Sequence, residues 1–524
     1  MKRVFSSLQD QQFDLLICGG GIYGAWTAYD AALRGLKVAI VEQGDWAVAT
    51  SSASSKLVHG GLRYLESFDF KLVKKALSER QMLSQAAPHR VWPLRFGVPV
   101  YADSRIYRLQ LKAGLMIYDF MAAGAGPKMA HRYFNRQKFS ARFSLLDSQG
   151  LKGGFTYSDA QTDDARLVLE LISGAMQAGA VCVNYCRLSK LIEVNGQVHS
   201  ASVQDLLTDT TVEVSAKQFV YAIGQWSAAM KESANWCRVT KGVHLILPAV
   251  LSDEALLLTA PVDGRVFFII PWYGLTLIGT TDTDYNGDMN RVRVEENEQA
   301  YLLDAANHYL QTAWHKEDVI GSYAGLRVMK RSEKSSPSAV SRDWELKTAA
   351  NGVHYSIGGK ITSAREDAAR IVDKVCAELA INIPCATKGR KFPWAPAENY
   401  TEWFAKVSAQ AEKLNIDNES SKWLIRRHGI RVVDILNDIQ VDPALAQRIT
   451  ASVPFIIADL KYSARQEMVV HLDDLLRRRM PLFILHKIDD TELRRLAGFV
   501  SSALGWDDDS LKRELALCSA YLAK

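Results

Sequence analysis

The alternation of hydrophobic and polar positions over the first 41 residues predicts a strand, a glycine-rich turn, a helix and a second strand. These elements occupy residues 13–18, 19–24, 25–34 and 37–41. A strand, a helix and a strand joined in this order form the βαβ unit of a parallel sheet. The chain therefore begins as an α/β fold.

Helices and strands alternate through the middle of the chain. Helical spacing of apolar residues predicts helices over residues 70–86, 164–178 and 295 to about 314. Short apolar runs predict strands at residues 181–183, 191–194, 198–203, 219–222 and 353–357. Strand-like runs also dominate residues 243–281, and a helix is expected to begin at Gly358-Gly359-Lys360.

The end of the chain has a different pattern. Residues 385–400 are rich in proline, lysine and short loops, which predicts a linker. Beyond it, helical spacing recurs over residues 423–436, 467–476 and 490–504. We therefore expect residues 401–524 to form a helical C-terminal domain.

Length and composition limit the class of protein. A chain of 524 residues is too long for one simple core, so two or three domains are expected. Apolar residues make up 48% and charged residues 23%, as in folded globular proteins. The net charge of +5 does not indicate a nucleic-acid binder, although it suits a phosphorylated substrate or an anionic membrane surface.

The cysteines and the hydropathy add two expectations. The seven cysteines are scattered without a CxxC pair, which predicts no metal site and favours a reducing, cytosolic location. The longest nearly uncharged run, residues 266–281, is broken by Pro271, Gly274 and Gly279. It therefore predicts two buried strands around a turn rather than a membrane-spanning helix, which needs roughly 20 apolar residues.

The glycines of the first turn point to a dinucleotide. Gly19, Gly21 and Gly24 form G-x-G-x-x-G between the first strand and its helix, where they permit a tight turn, close approach of a pyrophosphate and close helix packing. Glu42 ends the second strand, 18 residues after Gly24, where its carboxylate can bind a ribose 2′-hydroxyl and would repel the 2′-phosphate of NADP. The motif alone leaves FAD and NAD open.

A run of hydroxyl residues follows this unit directly. Its side chains offer donors and acceptors to phosphate, ribitol and flavin-ring groups. The candidate cofactor contacts are Thr50, Ser51, Ser52, Ser55 and Lys56. Residues 59–66, HGGLRYLE, then combine glycine, cation and aromatic residues as active-site loops do.

These residues strongly resemble the FAD-dependent, quinone-linked glycerol-3-phosphate dehydrogenases. The similar segments are residues 19–22, 51–57, 59–66, 157–159, 163–167, 241–244, 271–272, 278–282, 325–327, 341–343, 358–362, 462–467 and 472–479. The resemblance spans nearly the whole chain. The serine-rich loop with HGGLRYLE is its most specific part.

The resemblance implies the domain arrangement. A Rossmann-type FAD-binding domain, in segments of about 1–90, 150–235 and 320–384, is interleaved with a mixed-sheet substrate domain of about 91–149 and 236–319. The linker 385–400 and the helical domain 401–524 follow.

The resemblance also implies the chemistry. Noncovalent FAD oxidises sn-glycerol 3-phosphate to dihydroxyacetone phosphate by hydride transfer to flavin N5, and a quinone receives the electrons. The family location is the cytoplasmic face of the bacterial inner membrane, with peripheral contact, or the mitochondrion. A homo-oligomer is possible, and the sequence does not decide it.

The site residues follow from this chemistry. A phosphate dianion favours Arg and Lys donors. The candidate substrate ligands are Arg63, Tyr64, Arg327 and Lys360. The candidate catalytic residues are Arg327, His244, His59 and Lys360, with the base open between the two histidines. The remaining cofactor contacts are Ile22, Gly224, Gly359, Ile361 and Thr362.

Three departures from the family pattern leave the substrate open. Val328 stands where proline is common, Ala364 where tyrosine is usual, and Gln225 in a loop that usually contains proline. The alternatives are a flavin oxidase, a dehydrogenase of a related phosphorylated, hydroxy or amine substrate, and a non-catalytic flavoprotein.

A basic, partly apolar segment is a candidate membrane contact. Arg105, Arg108 and Lys112 are interleaved with apolar residues in a way that suits a membrane surface. The interleaved apolar residues are Ile106, Leu109, Leu111, Leu115 and Met116. A helix packed on the protein's own core explains the same pattern equally well.

Overall fold

The computed structural model describes residues 1–65, 68–122, 129–250, 253–331 and 343–522, with only the backbone of Arg63 and Tyr521. The strands are β1 Gln12–Cys18, β2 Val38–Val41, β3 Leu57–Val58, β4 Val91–Tyr101, β5 Arg132–Asn135, β6 Leu151–Thr162, β7 Val181–Val183, β8 Cys186–Val194, β9 Gln197–Asp205, β10 Thr211–Tyr221, β11 Cys237–Leu247, β12 Glu254–Thr259, β13 Val266–Trp272, β14 Leu275–Gly279, β15 Thr283–Asp284, β16 Gly321–Lys330, β17 Glu345–Thr348 and β18 His354–Ile357. The helices are α1 Ile22–Leu33, α2 Phe70–Ala86, α3 Arg108–Met121, α4 Arg136–Arg142, α5 Asp164–Gln177, α6 Glu296–Asn307, α7 Ala364–Glu378, α8 Tyr400–Lys413, α9 Asn418–His428, α10 Val432–Val441, α11 Ile457–Gln466, α12 Leu482–Leu485, α13 Asp490–Leu504 and α14 Asp508–Leu522.

The first sheet is the Rossmann-type core that the opening pattern predicts. Its strands run in the order β17-β18-β10-β1-β2-β7, and β18, β10, β1, β2 and β7 are parallel. The apolar faces of α1, α5 and α7 pack on it in one buried cluster. Because parallel strands end at the same edge, the turn after β1 lies beside the turn after β10.

The second sheet is mixed and runs in the order β15-β11-β14-β13-β12-β4-β6-β3, with β16 beside β11 and β5 beside β6. The predicted domain segments assigned residues 151–162 and 321–330 to the cofactor domain. In the structure, β6 pairs with β4 and β16 pairs with β11 inside the second sheet.

The C-terminal domain is helical, but two predicted helices are interrupted. The continuous helix expected over residues 423–436 breaks at Gly429, whose φ is +55° and whose added Cβ would lie 2.0 Å from the Trp394 carbonyl oxygen. The helix expected over 467–476 does not form, because α11 ends at Gln466 and Met468 has a left-handed backbone with φ 51°. A π-helix over Asp474–Arg479 follows instead.

The helical domain packs against the second sheet. The ring of Tyr273, after β13, stacks on Trp423 of α9 with centroids 4.0 Å apart. Within the described ranges, no helix is both long and apolar enough to cross a bilayer.

Candidate active site

A cavity of about 550 Å³ lies where the two sheets meet. Residues that follow β1 and β10 line it from the first sheet, and residues of β13 and β16 line it from the second. The cavity therefore joins the predicted dinucleotide motif to the predicted substrate cations.

The glycine turn has the geometry that the motif predicts. Gly19 has φ +112°, and a Cβ there would lie 2.5 Å from the Ala222 carbonyl oxygen. A Cβ on Gly24 would lie 1.8 Å from the Gly19 carbonyl oxygen, so Gly24 allows the helix to pack on the strand without itself lining the cavity. Gly21 and Ile22 line the cavity at the first turn of α1, whose N-terminus carries partial positive charge.

Glu42 lines the cavity near this turn. Its carboxylate accepts hydrogen bonds from the backbone N–H of Gly20 at 2.6 Å and of Gly44 at 2.8 Å, which fixes its orientation. Burial raises the pKa of Glu42 against the lowering effect of these backbone donors. Arg187 and Leu188, which the sequence interpretation missed, line the same end of the cavity.

The hydroxyl-rich run is divided between the cavity and the interior. Ser51 lines the cavity and accepts a hydrogen bond from the N–H of Ile22 at 2.9 Å, and Thr50 and Ser55 also line it. Ser52 is buried outside the lining, where its hydroxyl donates to the Ala49 carbonyl at 3.2 Å.

The side chain of Lys56, a predicted cofactor contact, lies in the protein interior. Its ammonium lies 2.6 Å from Asp164 Oδ1 and 2.8 Å from the Ser52 carbonyl, with the side chain turned away from the cavity lining. Burial lowers the pKa of Lys56, and the charge of Asp164 opposes this shift. Local sequence patterns do not predict an ion pair between residues as far apart as 56 and 164.

Arg327 lies at the end of the cavity that the second sheet lines. From β16 its guanidinium donates to Thr280 Oγ1 at 2.8 Å and to the Thr281 carbonyl at 3.1 Å. Asp282 lies 3.4 Å from the guanidinium and also lines the cavity. These contacts fix the plane of the guanidinium at the cavity lining.

Arg265 is a second cation at this end that the sequence interpretation missed. It lines the cavity at the start of β13, and its guanidinium donates to the Asp282 carbonyl and lies 3.1 Å from Asp263. Phe268, farther along the same strand, gives the cavity an apolar wall. In the sequence, the feature that could have identified Arg265 is its position directly before a buried apolar strand.

Lys360 lines the cavity from the segment between β18 and α7. Its ammonium lies 3.8 Å from the centroid of the Tyr64 ring, so two predicted substrate ligands are in contact. The helix expected at Gly358 begins instead at Ala364, and the segment with Gly359, Ile361 and Thr362 lines the cavity as a turn. Arg63 is in a 3₁₀ turn with Tyr64, and its side chain lies outside the described residues.

The two candidate bases differ in position. His59 lines the cavity, and its backbone N–H donates to Thr362 Oγ1 at 3.2 Å. His244 is buried outside the lining, with Nε2 2.8 Å from Ser55 Oγ. Burial lowers the pKa of His244 well below its ordinary value, and the charges of Arg327 and Lys56 add to this shift. These effects favour the neutral imidazole, and His244 contacts the cavity lining through Ser55 Oγ.

The unusual residue Gln225 has a structural explanation. Gly224 and Gln225 line the cavity after β10, and the buried Gln225 amide donates to the Met289 carbonyl at 2.6 Å. The neighbouring Trp226 donates from its indole to Asn290 Oδ1 at 2.9 Å. Gln225, which departs from the family pattern, therefore bonds the segment after β15 to the wall of the cavity.

The residues present fit FAD. The cradle formed by Gly21, Ser51 and the start of α1 suits a pyrophosphate, because an added Cβ on Gly21 would lie 3.0 Å from Ser51 Oγ and close the space. Glu42 supplies acceptors for a ribose. Thr50, Ser55 and the backbone around Gly359 supply polar groups for the rest of FAD between this cradle and Arg327.

The fold and this cavity define an FAD-dependent oxidoreductase. The family model described as FAD dependent oxidoreductase matches residues 14–365. The model described as the C-terminal domain of alpha-glycerophosphate oxidase matches residues 385–511.

The chain belongs to the FAD-dependent glycerol-3-phosphate dehydrogenase family. It is 32% identical to a glycerol-3-phosphate dehydrogenase of a Synechocystis species, over 99% of this chain and 98% of that protein. It is 32% identical to the aerobic glycerol-3-phosphate dehydrogenase of Bacillus subtilis, over 97% and 94% of the two chains. The structure of glycerol-3-phosphate dehydrogenase from Bacillus halodurans complexed with FAD superposes with a TM-score of 0.80 and 28% identity, covering 99% and 96% of the two chains.

Proposed function

We propose that this protein oxidises sn-glycerol 3-phosphate to dihydroxyacetone phosphate with bound FAD and passes the electrons to a quinone at a membrane surface. The observation that supports the substrate is that Arg265, Arg327 and Lys360 line the same cavity as the residues that fit FAD, and that Arg265 and Arg327 both contact Asp282 there. A phosphate dianion is the substrate group that such a set of cations favours.

Each residue has a task in this reaction. Lys360 and Arg265 bind the phosphate, and Arg327 stabilises the negative charge that develops on the alcohol oxygen. His59 is the better-placed acceptor of the hydroxyl proton, because it lines the cavity whereas His244 lies behind Ser55. The chemistry that FAD supplies when bound is acceptance of the hydride from the alcohol carbon.

The substrate is tested without oxygen. Addition of sn-glycerol 3-phosphate to the anaerobic holoenzyme is expected to bleach the flavin absorbance, whereas glycerol, which lacks the phosphate, is expected to leave it unchanged. A quinone analogue should then restore the colour. Bleaching by glycerol or an amine, but not by the phosphate ester, would favour the alternative oxidase or dehydrogenase.

An exposed apolar face on α3 supports the membrane contact. Leu109 is 74% exposed, Met116 55% and Phe120 83%, and their spacing places them on one side of the helix. Arg108 and Lys112 add positive charge beside this face. Leu115, by contrast, is buried in the core. Such an apolar face flanked by cations suits the interface of an anionic membrane.

Replacing Leu109 and Phe120 together by aspartate is expected to weaken binding to phosphatidylglycerol vesicles by about a hundredfold, because two apolar side chains can no longer be buried in lipid. Co-sedimentation of the purified holoenzyme with vesicles measures this. Val441, 88% exposed in the helical domain, provides the matched control, and its change to aspartate should leave binding unaltered. If the double variant binds vesicles as well as the wild type does, the apolar face of α3 is not the membrane contact.

A further inference from the structure

The segment that carries Lys360 has an unusual backbone. It joins β18 to α7, and Gly358 and Gly359 have φ angles of +74° and +100°. Residues 358–362 all line the cavity. A segment with left-handed residues and few regular hydrogen bonds needs other contacts to hold it in one conformation.

Tyr23 of α1 supplies such contacts. Its phenolic oxygen accepts a hydrogen bond from the backbone N–H of Lys360 at 3.0 Å and donates one to Asp367 Oδ2 at 3.0 Å. An added Cβ on Gly359 would lie 1.7 Å from this oxygen. The phenol therefore occupies the space beside Gly359 and bonds to the next peptide.

Asp367 fixes the phenol in turn. The carboxylate is fully buried in α7 and also accepts hydrogen bonds from Ser363 Oγ at 2.9 Å and from the Lys75 ammonium. Burial, together with the Asp367 charge, raises the pKa of Tyr23 well above its ordinary value. The phenol therefore stays protonated and keeps donating to Asp367, which leaves its lone pairs to Lys360.

We propose that Tyr23 is a positioning residue that holds the Gly359–Lys360 peptide and thereby aims the Lys360 side chain at the substrate phosphate. The inference rests on the proposed function for the role of Lys360. It goes beyond that function because it assigns Tyr23, on the helix whose first turn fits the FAD pyrophosphate, to substrate affinity rather than to cofactor binding.

The activity test uses Tyr23→Phe, which removes the oxygen and keeps the ring. The KM for sn-glycerol 3-phosphate is expected to rise about tenfold, as for the loss of one hydrogen bond that orders a charged ligand, with kcat within about twofold and FAD content unchanged. Tyr29→Phe makes the same change in the same helix, at a tyrosine outside the cavity lining, and should behave as wild type.

A double-mutant cycle separates positioning from a general structural effect. In a Lys360→Met background, Tyr23→Phe is expected to raise KM by less than about twofold, because its action passes through Lys360. Additive effects of the two substitutions would overturn the proposal.

Hydrogen exchange tests the same contact without substrate. In the holoenzyme, the Lys360 amide is expected to exchange at least about tenfold faster in Tyr23→Phe than in wild type, and Tyr29→Phe should not change it. Unchanged exchange would overturn the proposal. If the wild type fails to oxidise sn-glycerol 3-phosphate, the proposed function fails, and the exchange result alone still decides whether Tyr23 holds this segment.

Discussion

Replacing Arg327 by alanine is expected to lower kcat/KM for sn-glycerol 3-phosphate by about a thousandfold while FAD content stays unchanged. Thr280 and Thr281 hold the guanidinium at the cavity lining. Its removal leaves the negative charge that develops on the substrate without a compensating cation. Steady-state kinetics with a quinone analogue, together with the flavin-to-protein absorbance ratio, measure both quantities.

Arg238→Ala is the matched control for this prediction. Arg238 lies on β11, the strand that pairs with β16, and forms an ion pair with Asp284 at 2.6 Å near the surface. Loss of such an exposed pair costs about 1 kcal/mol or less and should leave the kinetics unchanged. Normal oxidation by Arg327→Ala, or an equal loss in both variants, would remove Arg327 from the active site.

Replacing Glu467 by glutamine is expected to destabilise the folded protein by about 3 to 5 kcal/mol and to lower its Tm by about 3 to 5 °C. Glu467 is fully buried and accepts two hydrogen bonds from the equally buried Arg166 of α5, with Arg431 3.3 Å away. The amide leaves these cations uncompensated inside the protein. Thermal unfolding of the holoenzyme, followed by flavin fluorescence and circular dichroism, measures the change.

The pH dependence gives this prediction a second readout. Burial raises the pKa of Glu467, but the charges of Arg166, Arg431 and His428 outweigh burial and hold that pKa well below its usual range. Because the folded-state pKa is depressed, the stabilisation is complete above the ordinary glutamate pKa of 4.5 and is lost as the pH falls below it. The difference in Tm between wild type and variant should therefore shrink in acid.

Asp438→Asn provides the control for Glu467. Asp438 pairs with Arg465 of α11, one turn from the buried network, but the two side chains are 36% and 45% exposed. Its loss should change stability by less than about 1 kcal/mol. A similar fall in Tm for both variants would show that the buried Arg166–Glu467 pair stabilises the protein no more than the exposed pair does.

The local sequence patterns that predict the cofactor half of the site involve residues close together in the chain. The turn at Gly19 and Gly24, the carboxylate of Glu42 and the contact at Ser51 fall within one βαβ unit and the loop after it, so their spacing along the chain sets their arrangement. The bounds of α2 and α13 also match the predicted helices, because each has a regular apolar face and no internal glycine with positive φ.

The predictions that changed involve residues far apart in the sequence. Lys56 pairs with Asp164 in the interior, and the strand that contains His244 places its imidazole behind Ser55 rather than in the cavity. The expected helix at residues 423–436 breaks because Gly429 packs against Trp394. None of these contacts has a signature in the spacing of neighbouring residues.

By itself, the sequence determined the Rossmann-type beginning, the helical end and the pyrophosphate cradle, since hydrophobic periodicity and glycine spacing act over short stretches of chain. Only the tertiary structure decided which cations meet at the substrate end and which residues hold them. Arg265, Arg327 and Lys360 line one cavity because the start of β13, the strand β16 and the segment after β18 all border it, and Tyr23 contacts Lys360 across 337 positions of the sequence. Strand pairing and helix packing over such separations depend on the whole fold, and no local pattern encodes them.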